Sequence, residues 1–404
     1  MVKRFFLITV IAVLVLAALP VTVGAQDDGP ERSGIRPDAP PYGIRGPYPV
    51  GFALHTIVDD NERLLNAHIW YPALNPDAAE DTVEYLLPYF PDGVFGHALL
   101  GAAPDLDHGP YPLVIFAHGW YGQRLNSPYL CEHLASYGFV AISVAYQDNM
   151  AVAEQPTYPS MISRPADVSR QIDYAEQLTA DGDWAGLIDT ENIGVAGHSL
   201  GGYTALAAGG ARLDWDSFGA LCADHPEYDP LGFCGLLLGY TGDMATLAGW
   251  DAVPDSPWPS LGDPRVDVVV PLAPAAQFFG TSGMVDIAVP VLMLGGTADT
   301  MVVPEPSFFQ PYSAITAPKT LVRFAGGGHM LFFYGCDDAP WMIPYGAFWA
   351  CSDPVWDMDR AHDLIDHFVT AFFLAELYGD EDAAAALAPD AVAFPGITYE
   401  TTAY

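Results

Sequence analysis

The chain has 404 residues, 51% hydrophobic and 16% charged, enough to bury a full-sized core as one large α/β domain or two smaller ones. Fifty acidic residues against fourteen basic ones set a formal net charge of −36, which excludes a nucleic-acid partner or an anionic lipid surface gripped by electrostatics. No block of five or more like charges occurs, so the acidity is spread over a folded surface, where it bears on solubility and salt tolerance.

Lys3 and Arg4 precede an apolar run from Phe5 to Leu19, followed by Pro20 and Val23-Gly24-Ala25. A basic start, an apolar stretch and a small residue at the exit have the form of a secretory signal peptide, residues 1–25. The run falls short of the roughly 18–20 residues of a spanning helix, so no stable membrane span is expected after cleavage and the mature protein is expected to be secreted or periplasmic. In that compartment disulfides persist. Cys222 and Cys234, twelve apart, and Cys336 and Cys351, fifteen apart, are expected to close two local bridges, although spacing alone does not dictate connectivity. Cys131, on an apparent apolar helix face, is expected as a buried thiol.

A Pro/Gly/Asp-rich leader over residues 26–45 is expected to be flexible. Gly51–Val58 and Leu64–Tyr71 read as two strands joined by a hairpin turn at Asp59–Glu62, and residues 72–111 as largely irregular. From Pro112 onward, short runs rich in branched residues follow: Leu113–Ala117, Phe139–Ala145, Ile193–Ala196, Val266–Leu272, Val289–Leu294 and Thr320–Phe324. Helical patterns at Ser127–Tyr137, Ala166–Leu178 and Gly201–Gly209 separate the earlier ones. Buried strands alternating with helices predict an α/β fold with a mostly parallel sheet covered on both faces. The predicted domain covers 46–378, with residues 213–262 inserted as a cap or lid, a helix at Asp357–Leu377 and a tail, 379–404, without clear signals.

The sharpest motif is Gly197-His198-Ser199-Leu200-Gly201, a G-x-S-x-G elbow extended by Gly202. A strand runs in and a small-residue helix runs out, the context in which such a turn lifts a serine hydroxyl above the sheet. Ser199 is therefore the candidate nucleophile. A serine needs a base, and the base needs an acid to orient it. Asp299 follows the strand Val289–Leu294, and His329 ends the glycine-rich loop after Thr320–Phe324. Serine, acid and histidine thus come in the order this architecture requires, each after a later strand. His118-Gly119-Trp120-Tyr121 follows the strand Leu113–Ala117; the backbone N–H of Trp120 and that of Leu200 are the candidate oxyanion donors. His118, Gly119, Trp120, Tyr121 and His198 are placed in the substrate pocket, with Trp250 and Trp258 adding to an aromatic rim.

Rival residues fare worse. Asp267 and Asp286 fall at the wrong ends of their strands for the acid. His362 and His367, with Asp363 and Asp366, read as a solvated helix face rather than metal ligands. No metal and no organic cofactor is implied, and the oligomeric state is left open.

On these residues the chain resembles the α/β-hydrolase superfamily, and within it the platelet-activating-factor acetylhydrolase and predicted dienelactone hydrolase group. The likeness rests on Phe116-Ala117-His118-Gly119, Leu134–Val140, Arg164 to Asp167, Gly197–Gly202 and the Asp299 and His329 segments, with Tyr48–Gly51 and Ile69–Pro72 like the opening strands. More distantly it is similar to secreted polyester hydrolases and cutinases. Dienelactone hydrolases themselves use a cysteine nucleophile, where Ser199 stands here. The resemblance implies a serine carboxylic-ester hydrolase working through an acyl-enzyme on short-acyl esters, including acetylated phospholipids. A polyester hydrolase, cutinase or lipase is the alternative, and an inactive binding module on the same fold is the reading from another class. A small-molecule, lipid or polyester ester is thus the expected partner.

Overall fold

The computed structural model describes residues 36–59, 62–87, 92–146 and 157–404. The expected signal peptide, residues 26–35 of the expected leader and the Asp60-Asn61 tip of the first hairpin lie outside them. The branched apolar runs form one ten-stranded sheet. Strands β1 (Val50–Val58) and β2 (Leu64–Pro72) make an antiparallel hairpin, and β2 pairs antiparallel with β7 (Val140–Val144). Parallel pairing then runs from β7 through β6 (Tyr111–Ala117), β8 (Ile188–His198), β9 (Val268–Leu272) and β10 (Val291–Gly296) to β11 (Lys319–Phe324). Residues 72–111 contribute β3 (Val83–Tyr85) and β4 (Val94–Gly96), which among the described residues pair with each other, and β5 (Leu99–Leu100) beside β1.

The central strands are buried from end to end, as a sheet covered on both faces requires. Helices α1 (Pro128–Ser136) and α8 (Met358–Phe373) pack one face. Helices α2 (Ser160–Ala180) and α3 (Leu200–Ala208) pack the other. Because the chain goes from β6 out to β7 and returns to β8 on the other side of β6, the connections diverge beside β6, the point at which open α/β sheets bind ligands beyond the carboxyl ends of their strands.

Between α3 and β9 stand α4 (Trp215–Asp224), α5 (Phe233–Leu237) and α6 (Thr241–Leu247). The Cys222–Cys234 bond ties α4 to α5, while Cys336–Cys351 closes a loop after β11. The short helix α7 (Gln310–Ala314) precedes β11. Cys131 is buried, and burial pushes its thiol well above the usual range.

Four expectations change. The tail is structured: α9 (Glu381–Ala386) is followed by β12 (Ile397–Thr401), which pairs antiparallel with β11 and covers that edge of the sheet. Residues 36–45 of the supposed flexible leader are packed, with the Arg36 amide donating to Asp363, the Tyr42 amide to His367 and His133 donating to the Tyr42 carbonyl. Consequently the polar face of α8 is not solvated: His362, Asp363, Asp366 and His367 are all buried beneath α1 and this segment. Trp258 is buried against Trp215 and Trp250 inside the insertion rather than on a rim.

Candidate active site

Ser199 is the single residue between the end of β8 and the start of α3, with φ 61° and ψ −118°. That is a costly conformation for a residue with a β-carbon, and such strain persists only where its surroundings enforce it. They do so here from both sides: the Ser199 amide donates to Leu272 at the end of β9 (2.8 Å), and its carbonyl accepts from Ala275 (3.0 Å). A β-carbon on Gly201 would stand 1.9 Å from the Ala117 carbonyl oxygen, so only glycine lets α3 start this close to the end of β6. The Leu200 amide, first of α3, has no acceptor within the helix and lies at its positive end.

Strands β10 and β11 deliver the other two groups. Beyond them the loops cross tightly: the Thr297 amide donates to Phe324 and the Ala298 amide to Gly327, and a β-carbon on Gly296 would lie 2.1 Å from the Gly327 oxygen. This crossing brings Asp299 and His329 together, with His329 Nδ1 2.6 Å from Asp299 Oδ2. Asp299 Oδ1 accepts from the Met301 and Val302 amides, 2.8 Å each. Both side chains are buried. A carboxylate so anchored cannot swing, and it holds a proton on Nδ1, leaving Nε2 as the basic nitrogen.

His198 Nε2 donates to the His329 carbonyl at 2.9 Å, with the two rings 4.7 Å apart. Burial holds its imidazole well below the usual range, so it stays neutral while supporting the His329 backbone. Two further bonds steady the segment after His329. Ser127 Oγ donates to the Phe332 carbonyl at 2.6 Å, and His362 Nε2 donates to the Phe333 carbonyl at 2.8 Å. His362 also stacks on Tyr129, and burial lowers its pKa to about 4. Asp286 instead pairs with Arg212 at 2.7 Å, and Asp267 accepts from the Ile193 amide.

The loop after β6 passes beside the elbow; a β-carbon on Gly119 would lie 3.2 Å from that of Ser199. The Trp120 ring contacts Tyr121 and, across the insertion, Phe233 (centroids 4.5 and 5.1 Å), and its Nε1 donates to Thr157 Oγ1. Tyr121 is partly exposed. His118 is buried, donating from Nδ1 to the Gly119 carbonyl while its Nε2 accepts from the Tyr146 amide. Arg164, which the sequence reading did not place at the site, donates to the His118 and Gly119 carbonyls of this loop, and a signal for such buried partners was present. Arg164 lies on the stripe of α2 that holds Met161, Val168, Ile172 and Ala175, an odd place for an arginine unless it has partners. Among the described residues no group of three or more His, Cys, Asp or Glu side chains is arranged to hold a metal.

A family model described as chlorophyllase matches residues 94–226. The chain is 32% identical over 100 residues to the provisionally named phospholipase A2 of Schizosaccharomyces pombe, covering 22% of this chain and 23% of that protein. It is 31% identical over 122 residues to the provisionally named esterase YitV of Bacillus subtilis, covering 30% of this chain and 48% of that one. The chain thus spans less than half the length of these curated relatives. Among solved structures it is similar to a ferulic acid esterase from Streptomyces cinnamoneus, with a TM-score of 0.58 and 21% identity over 87% of this chain and 96% of that one. With its central parallel strands, covering helices and strand order, this likeness shows that the chain has the α/β-hydrolase fold.

Proposed function

We propose that this protein is an exported serine hydrolase of carboxylic esters. The observation that carries the reading is the buried His329–Asp299 pair standing at the same strand ends as Ser199 in its strained elbow. Ser199 Oγ attacks the ester carbonyl carbon while His329 Nε2 takes its proton, and the negative charge forming on the carbonyl oxygen is met by the Trp120 and Leu200 amides. As the carbon–oxygen bond to the alcohol breaks, the histidine returns the proton to the leaving oxygen. Water, deprotonated by the same nitrogen, then releases the acid and restores Ser199.

The names of the curated relatives, a phospholipase A2 and an esterase, agree with ester hydrolysis. The resemblance to platelet-activating-factor acetylhydrolases favours short acyl groups, and Phe233 of the insertion packs against Trp120 of the loop after β6. The insertion at 213–262 is the cap over this site. Two disulfides suit an oxidising compartment. The test is hydrolysis of p-nitrophenyl esters from acetate to palmitate by the wild type and by Ser199→Ala. Turnover of acetate and butyrate that disappears in the variant is expected. Turnover surviving in Ser199→Ala overturns the mechanism, and a preference for long chains transfers the assignment to a lipase or polyester hydrolase.

A further inference from the structure

Arg164 is fully buried on α2, beside Pro165. Its Nη1 donates to the His118 carbonyl at 2.5 Å and its Nη2 to the Gly119 carbonyl at 3.1 Å. Its Cζ lies 4.4 Å from the centre of the Tyr146 ring, whose own amide donates to His118 Nε2. One planar fork thus holds two consecutive carbonyls of the loop that follows β6, a geometry that a lysine cannot reproduce. In a trans peptide the carbonyl of one residue and the N–H of the next point in opposite directions. With the Gly119 carbonyl turned toward Arg164 and the His118 ring, the Trp120 N–H is turned away from them. Gly119 itself lies against Ser199: a β-carbon there would stand 3.2 Å from that of the serine. Among the described residues, no protein acceptor takes the Trp120 N–H.

We propose that Arg164 is a positioning residue that sets the direction of the Trp120 N–H and thereby builds one half of the oxyanion hole. The Gly119 carbonyl accepts from Arg164 Nη2, from His118 Nδ1 and from the Gly122 amide at 3.1 Å. Donors on a carbonyl polarise the whole peptide and strengthen the N–H at its other end. The anchor itself is rigid. Pro165 has no N–H and leaves the Met161 carbonyl of the preceding turn without its helical donor; Tyr203 Oη of α3 donates to that carbonyl at 2.5 Å. The clamp is therefore tied to the same helix that follows Ser199. This inference rests on the acyl-serine reading above, because a direction for the Trp120 N–H matters only if an oxyanion forms beside it.

The test compares Arg164→Lys and Arg164→Gln with the wild type, using p-nitrophenyl butyrate turnover and inhibition by an alkyl trifluoromethyl ketone. That inhibitor adds to a serine and places a negative oxygen where the oxyanion forms, so it reads the donors without requiring turnover. Measurements use whichever variant unfolds thermally as the wild type does. The expected result is a kcat lower by about 100- to 1000-fold, the range for losing one oxyanion donor, with KM changed less than threefold and inhibitor affinity lost by a similar factor to kcat. Arg164→Ala should in addition regain rate with added guanidinium but not with methylammonium. Wild-type kcat and inhibitor affinity in a folded variant overturn the proposal. So does a fall in kcat with unchanged inhibitor affinity, or a rescue by both cations alike. If neither the lysine nor the glutamine variant folds, the guanidinium response of Arg164→Ala decides, and absence of recovery overturns it. Ser199→Ala separates the two readings: activity retained there removes the acyl-serine reading itself. Loss there with an intact Arg164→Lys removes only the positioning role.

Discussion

Asp299 shows how much a single side chain depends on its second oxygen. Oδ1 takes two backbone N–H groups and Oδ2 faces His329 Nδ1. In Asp299→Asn the amide oxygen keeps the two backbone donors, so the NH2 group is turned toward Nδ1. The imidazole must then carry its proton on Nε2, the nitrogen that has to accept from Ser199. A loss of about 10⁴-fold in kcat, as expected for a triad locked in the wrong tautomer, should appear in p-nitrophenyl butyrate turnover with the fold intact by circular dichroism. A loss under tenfold would show that Asp299 is not the orienting acid. The order of Ser199, Asp299 and His329, each after a later strand, was legible from residue type and pattern, and the contact of His329 with Asp299 agrees with the proposed roles. The partners of Asp299 Oδ1 and the clamp on the Gly119 carbonyl were not, because they depend on main-chain directions that no residue type specifies.

At the scale of elements, the insertion holds few long helices and leans on its bridge. α5 has five residues and α6 has seven, lengths that are marginal without tertiary support. The Cys222–Cys234 bond joins positions twelve apart. Closing so short a loop is worth about 3 kcal/mol in the chain-entropy view. Cys222→Ser/Cys234→Ser should therefore lower the stability of the insertion before that of the sheet. Hydrogen exchange should rise over 213–262 while the amides of β6 and β8 stay protected, whereas exchange unchanged in the insertion would contradict this account. The elements of the sheet were readable from short branched runs, since buried parallel strands leave that pattern. The edge strand β12 was not, because only alternate residues of Ile397–Thr401 are partly covered and the rest are exposed. Such a segment becomes a strand when β11 offers its edge.

Over the whole molecule some of the fifty acidic residues are buried, Glu132, Asp167 and Asp366 among them, and stability then follows their protons. Glu132 is buried, accepting from Tyr85 Oη and the His97 amide. Burial raises its pKa to about 7, against the pull of Arg45 and with a smaller push from Asp81. Asp338, also held away from water, is raised to about 6. The folded protein keeps the Glu132 proton that the unfolded chain gives up near the ordinary carboxyl value of 4.5. Its contribution is therefore complete below that pH and is lost as pH climbs through about 7. The total for Glu132 is on the order of 3 kcal/mol. Urea midpoints of the wild type should fall between pH 4.5 and 7, and Glu132→Gln should have a shallower fall across the same window. An identical slope in the variant would place the titration elsewhere.

What the sequence determined by itself was the alternation of buried strands and helices, and with it the sheet and the order of Ser199, Asp299 and His329. These follow from local rules: apolar run length, the glycines around an elbow, and strand ends that deliver side chains to one edge. The tertiary structure alone decided the rest. It buried His362, Asp363, Asp366 and His367 of α8 beneath α1 and residues 36–45, moved Trp258 from a rim into the insertion, and aimed Arg164 at two carbonyls of the loop after β6. Each of these depends on a partner distant in the chain, and burial of a polar group is stable only once that partner is in place.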